Sequence, residues 1–207
     1  ADTDFAKVVK NINASGVDDE NVIELCADIT LTVNYTLTRN TTIKSKDEDR
    51  KISIKGSDAG ITVAKKGTVL NLGAEGYDKK LTIDGDTRDG SVSENTKNGF
   101  VSVLEGATAN MYENVTLQNR MFTGNAYVLV TGSKAVFNMK GGVIEGGSRA
   151  VIAQSGATFY MRSGEIKNCK VNGDGVISVT DNSKFIMEGG IISGCKADTG
   201  GGLYAKN

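Results

Sequence analysis

The side chains best suited to chemistry gather where one apolar run gives out. Leu81-Thr82-Ile83 is followed by Asp84-Gly85-Asp86-Thr87-Arg88-Asp89-Gly90, with Lys79 and Lys80 just upstream. Carboxylates at near-alternate positions can turn several oxygens towards one hard cation, which makes Asp84, Asp86 and Asp89 a candidate Ca²⁺ set, although the spacing is not that of an EF-hand loop. With Arg88, Lys79 or Lys80 as base, the same residue types would serve elimination on an acidic sugar. Asp84 and Asp86 would also serve glycoside hydrolysis, which needs two carboxylates about 5 to 9.5 Å apart. Asp-Gly after a strand is, however, a common turn signal. Turn formation is the preferred reading of this stretch, and no catalytic residue is assigned.

His is absent from the chain, which removes the usual general base, zinc ligand and pH switch together. The 24 basic and 25 acidic residues nearly cancel and neither sign forms a block, which argues against a nucleic-acid partner. No apolar run reaches the ~18 to 20 residues that span a bilayer, so membrane insertion is not expected. Three Cys, an odd number, make no disulfide framework. Cys169 and Cys195 are read as stacked free thiols within disulfide reach, and Cys26 as a core filler.

The elements that would position any site are written as a repeat. Val128 to Ile144 is echoed by Val151 to Ile166 and by Val176 to Ile192. Met139 and Met161 are 22 residues apart, Met161 and Met187 are 26 apart, and Ile144, Ile166 and Ile192 keep the same intervals. A period in the twenties, built of short apolar runs with Gly punctuation, signals a solenoid of one coil per repeat. Runs of three to five residues are too short for helices. About three such strands per coil predict an all-β fold, a single right-handed parallel β-helix.

Phe137, Phe159 and Phe185 precede the three Met residues by two positions and share their face, so both sets should stack as a core ladder. Tyr160 and Ile186 should face outwards, where an exposed row could bind sugar. Tyr112, Phe122 and Tyr127 form a second candidate sugar-stacking patch. Thr30, Thr32, Thr36, Thr38, Thr41 and Thr42 keep no fixed place from coil to coil, unlike the flat Thr array that ice binding would need.

Before the strands, Phe5, Val8, Val9 and Ile12 follow helical spacing behind an acidic, capping-competent start at Thr3-Asp4. An amphipathic helix here would cover the open end of the first coil. The expected organisation is a capping helix over residues 1–20 and a β-helix over residues 21–207, a fragment of a longer surface protein. The polar stretch from Asp84 to Gly99 is expected to loop out of the stack, and Lys46 to Lys51 to form a solvated turn.

The opening run from Val22 to Leu31 and the three-strand coils resemble the pectin-lyase-like superfamily of right-handed parallel β-helices. Phe185 to Cys195, running into Gly200-Gly201-Gly202-Leu203, is similar to repeats of bacterial adhesin-like and polymorphic-outer-membrane-protein-like surface proteins. The resemblance implies a secreted or cell-surface, non-enzymatic module, monomeric within a longer chain, that presents a binding surface to an extracellular glycan or protein ligand. No cofactor is implied apart from Ca²⁺. The competing implication is a carbohydrate-active enzyme, a pectate-lyase-like polysaccharide lyase or a glycoside hydrolase, working through Asp84, Asp86, Asp89 and Arg88.

Overall fold

The structure, a computed structural model, describes residues 2–15, 20–56, 58–85, 98–119 and 126–206. Among the described residues one helix, α1 (Asp2–Ala14), precedes a right-handed parallel β-solenoid of seven coils, each giving one strand to each of three sheets. The first coil comprises β1 (Asn21–Leu25), β2 (Ile29–Leu31) and β3 (Asn34–Leu37). Next come β4 (Thr41–Ser45), β5 (Arg50–Ile54) and β6 (Gly60–Val63), then β7 (Val69–Leu72), β8 (Leu81–Asp84) and β9 (Val101–Val103). The fourth coil is β10 (Thr108–Met111), β11 (Val115–Gln118) and β12 (Val128–Thr131), and the fifth β13 (Val136–Met139), β14 (Val143–Glu145) and β15 (Val151–Gln154).

The last two coils carry a fourth strand each. They are β16 (Thr158–Met161), β17 (Glu165–Lys167), β18 (Lys170–Asp174) and β19 (Ile177–Thr180), followed by β20 (Lys184–Met187), β21 (Ile191–Ser193), β22 (Lys196–Thr199) and β23 (Leu203–Lys206). The step from 22 to 26 residues is therefore taken up by β18, which pairs with β22 of the next coil as a small sheet outside the repeat. Sequence reading missed these two strands because Lys170-Val171-Asn172-Gly173 alternates poorly.

Strands stack into three seven-stranded parallel sheets. Sheet A runs β1-β4-β7-β10-β13-β16-β20, sheet B β2-β5-β8-β11-β14-β17-β21, and sheet C β3-β6-β9-β12-β15-β19-β23. Register is held by inward apolar residues, since a slip of one would turn each strand's apolar set to solvent. Phe137 pairs with Phe159 and Phe159 with Phe185, while Met139, Met161 and Met187 run beside them. The Phe137 and Phe159 rings stack with centroids 5.4 Å apart, and Phe159 and Phe185 follow at 5.7 Å. Ile144, Ile166 and Ile192 form the matching row of sheet B.

The Gly punctuation marks one repeated corner. Gly142, Gly164 and Gly190 have φ of 81°, 90° and 92°, a region that L side chains seldom enter. A Cβ on Gly164 would also lie 2.6 Å from the Gly142 carbonyl oxygen of the coil below. The corner thus requires glycine for both conformation and stacking distance.

Helix α1 lies against sheet C at the start of the stack. Phe5, Val9 and Ile12 are buried, whereas Val8 is exposed, because positions 5, 9 and 12 share one face and 8 falls beside it. Phe5 meets the Tyr35 ring edge to face at 5.1 Å.

Candidate functional site

Of the Asp-rich group, Asp84 closes β8 and is buried. Its carboxylate accepts hydrogen bonds from Gln118 Nε2 at 2.9 Å and Asn119 Nδ2 at 3.1 Å, both from the next coil. Asp86, Arg88 and Asp89 lie outside the described residues. Lys79 Nζ donates to Asp78 at 2.7 Å, which holds the Asp78 carboxyl below and the Lys79 ammonium above their ordinary values. A lysine kept charged in this way is a poor base. Lys80 contributes its backbone N–H to Asp49 Oδ1 at 2.8 Å. Among the described residues, no group of three Asp, Glu or Cys could hold a metal ion.

The aromatic candidates separate. Tyr127 is fully buried, packed edge to face on Phe100 with centroids 5.2 Å apart, and its hydroxyl donates to the carbonyl oxygens of Glu145 and Gly146. It is a core residue and not a surface platform, because it begins the turn into β12 on the inward side. Phe122 lies outside the described residues. Tyr112 and Tyr160 remain half-buried on the outer face of sheet A.

That outer face carries two parallel rows along the stack, with steps of about 4.8 Å. One is Thr42, Asn71, Asn110, Asn138, Tyr160 and Ile186, in register from β4 to β20. Its polar members form a chain of hydrogen bonds all running in one direction. Asn138 Nδ2 donates to Asn110 Oδ1 at 2.9 Å, Asn110 Nδ2 to Asn71 Oδ1 at 2.8 Å, and Asn71 Nδ2 to Thr42 Oγ1 at 3.1 Å. Thr42 then donates to the Glu20 carboxylate. Aligned amide dipoles of this kind reinforce one another and end on a negative charge.

The second row holds cations against aromatic rings. Lys140 Nζ lies 4.7 Å from the Tyr112 ring centroid and 3.2 Å from its hydroxyl, and the Arg162 guanidinium lies 4.8 Å from the Tyr160 centroid. Arg162 is also paired with Glu188 one coil further on. Lys44, nearer the helix, sits 4.6 Å over Tyr77. A shallow depression of about 220 Å³ opens between Glu20, Thr42, Lys44, Asn71 and Tyr112. Stacked amides, tyrosine faces and cations at fixed steps can hydrogen-bond and stack with a polar chain laid along the solenoid.

Sequence reasoning placed Tyr160 on this face but missed Asn71, Asn110, Asn138, Lys140 and Arg162. A signal was present. Asn71, Asn110 and Asn138 each sit between two inward apolar residues, at the position Tyr160 occupies in its own coil.

Comparison with protein-family models, with curated proteins and with solved structures finds no match to this chain. The class is therefore defined by the fold alone, a parallel β-solenoid. Among the described residues, no helix is long and apolar enough to cross a membrane.

Proposed function

We propose that this chain is a non-enzymatic, secreted or cell-surface β-solenoid module of an adhesin-like protein, and that the outer face of sheet A binds an extracellular glycan or protein. The observation that carries the reading is the row in which Lys140 covers Tyr112 and Arg162 covers Tyr160, beside the amide ladder. Such a row is pre-organised by in-register strands, so binding costs little ordering entropy. Repetition along the stack favours extended ligands, which make several weak contacts at once.

The test is a binding screen of glycans and matrix proteins with the wild-type chain and the Tyr160→Ala and Arg162→Ala variants. Loss of one packed aromatic contact is expected to weaken binding about tenfold, or 1.4 kcal/mol. Binding that is unchanged in both variants would sink this assignment of the surface. Formation of unsaturated products from polygalacturonate, with stabilisation by Ca²⁺, would replace the module with a lyase and direct mutagenesis to Asp84, Asp86 and Asp89.

A further inference from the structure

We propose that Cys169 and Cys195 are a dithiol site that closes to a disulfide by exchange with a low-molecular-weight disulfide, clasping the last two coils at one corner. Parallel pairing brackets the two residues on both sides: Lys167 lies opposite Ser193, and Lys170 opposite Lys196. The ladder continues across the corner, with Asn168 N–H donating to Ser193 O at 3.0 Å and Lys196 N–H to Cys169 O at 2.9 Å. Residues so paired have Cα atoms about 4.8 Å apart, inside the roughly 4.4 to 6.8 Å range of disulfides.

Both sulfurs lie beside the end of β17. Cys169 Sγ lies 3.5 Å from the Lys167 carbonyl oxygen and Cys195 Sγ lies 3.8 Å from that of Ile166, adjacent carbonyls of β17. Two left-handed residues, Asn168 and Gly194, with φ of 54° and 61°, set up the stacked corner. A Cβ at Gly194 would lie 2.4 Å from Asn168 Oδ1, so the Asn168 side chain would have to turn aside to admit one. The roles differ by exposure: Cys169 is fully buried and Cys195 is half-buried.

The electrostatics divide the pair in the same sense. A hydrogen bond from Cys169 holds the Cys195 thiol below its ordinary value, and that interaction together with burial pushes Cys169 up. The charged groups around the corner are Glu145, which also raises Cys169, and Lys167, which is held between Glu165 at 2.9 Å and Glu145 at 3.7 Å. Lys170 and Lys196 follow the two cysteines in the chain.

Cys195, as thiolate, attacks one sulfur of the reagent R–S–S–R, forming a Cys195–S–S–R bond while R–S⁻ leaves. Cys169 then gives up its proton and attacks Cys195 Sγ, displacing the second R–S⁻. Two protein thiols lose two electrons and two protons, and the reagent, reduced, becomes two R–SH.

Cys26 is exposed rather than a core filler, so the experiment begins from the Cys26→Ser chain. Oxidised glutathione is added to the folded protein, remaining thiols are alkylated, and unreduced peptides are mapped by mass. The expected product is a peptide pair joined through Cys169 and Cys195. A further Cys169→Ser change should trap glutathione on Cys195 as a persistent mixed disulfide, and a further Cys195→Ser change should leave Cys169 largely unmodified. The proposal is overturned if both cysteines stay alkylatable in excess glutathione disulfide, or if the mixed disulfide on Cys195 persists while Cys169 is still present.

Discussion

The first and last described coils are built from the same repeat yet differ in what lies against them. At the first coil, Phe5, Val9 and Ile12 of α1 cover Tyr35 and the apolar residues beneath it. Asn13 also serves the open edge of β3: its Nδ2 donates to Thr36 O at 2.7 Å, and its Oδ1 accepts from Thr38 N–H at 2.9 Å and the Thr38 hydroxyl at 3.1 Å. One side chain thus occupies backbone groups that would otherwise present a template for pairing. At the last described coil the core ladder surfaces. Met139 and Met161 are fully buried, but Met187, in the same register, is 46% exposed. Ile191 and Leu203 are exposed with it, and a depression of about 410 Å³ lies between Val179, Phe185 and Leu203. A position in such a repeat is therefore core or surface according to whether another layer lies beyond it.

Substitution in matched positions would break this contrast if the coils were equivalent. Phe159→Ala removes a ring stacked on both sides and is expected to cost about 3–5 kcal/mol in denaturant unfolding, against about 1–2 kcal/mol for Phe185→Ala, which has a ring on one side only. Equal losses would mean that the last coil is as well packed as the middle. Gly164→Ala meets backbone and an unfavourable φ together, so a loss of about 3 kcal/mol is expected. Gly201→Ala should lose only about 1 kcal/mol, because its φ of 50° is strained but nothing lies within 4 Å.

At the capped end, Asn13→Ala should destabilise by about 1–2 kcal/mol, since the Thr36 and Thr38 backbone groups lose their partner. Hydrogen exchange would then speed up first at Thr38; unchanged protection there would show that α1 holds by its apolar face alone. The smallest effect belongs to the last described coil. Ile191→Lys with Leu203→Lys should change monomer stability by no more than about 0.5 kcal/mol, while reducing self-association at high concentration in light scattering. A large loss of stability would show these side chains to be part of the core after all.

Residue spacing was informative wherever it repeated. Met139, Met161 and Met187 gave the coil length, and Phe137, Phe159 and Phe185 gave the inward face, because neighbours on a parallel stack must repeat type to fill the same volume. Residues outside the repeat were harder to read. Tyr127 looked like a sugar platform but is core, and Cys26 looked like core but is exposed, each lying beside a turn where alternation no longer fixes direction. The candidate surface was only partly visible: Tyr160 was placed correctly, while the cations beside it belong to the turn after each strand and show no apolar pattern.

By itself, then, the sequence determined the parallel β-helix, its three-strand coil, the helix at its start and the Phe/Met/Ile core, since all of these follow from period and burial. Only the tertiary structure decided that Asn71, Asn110 and Asn138 join into one ladder and that Lys140 and Arg162 cover Tyr112 and Tyr160, whereas the stacking of Cys169 and Cys195 was legible in their spacing. Apart from Arg162 and Tyr160, which are two positions apart, these ladder and cation–ring contacts join residues 28 to 39 positions apart. Their geometry is set by where stacking brings the turns, which local spacing does not encode.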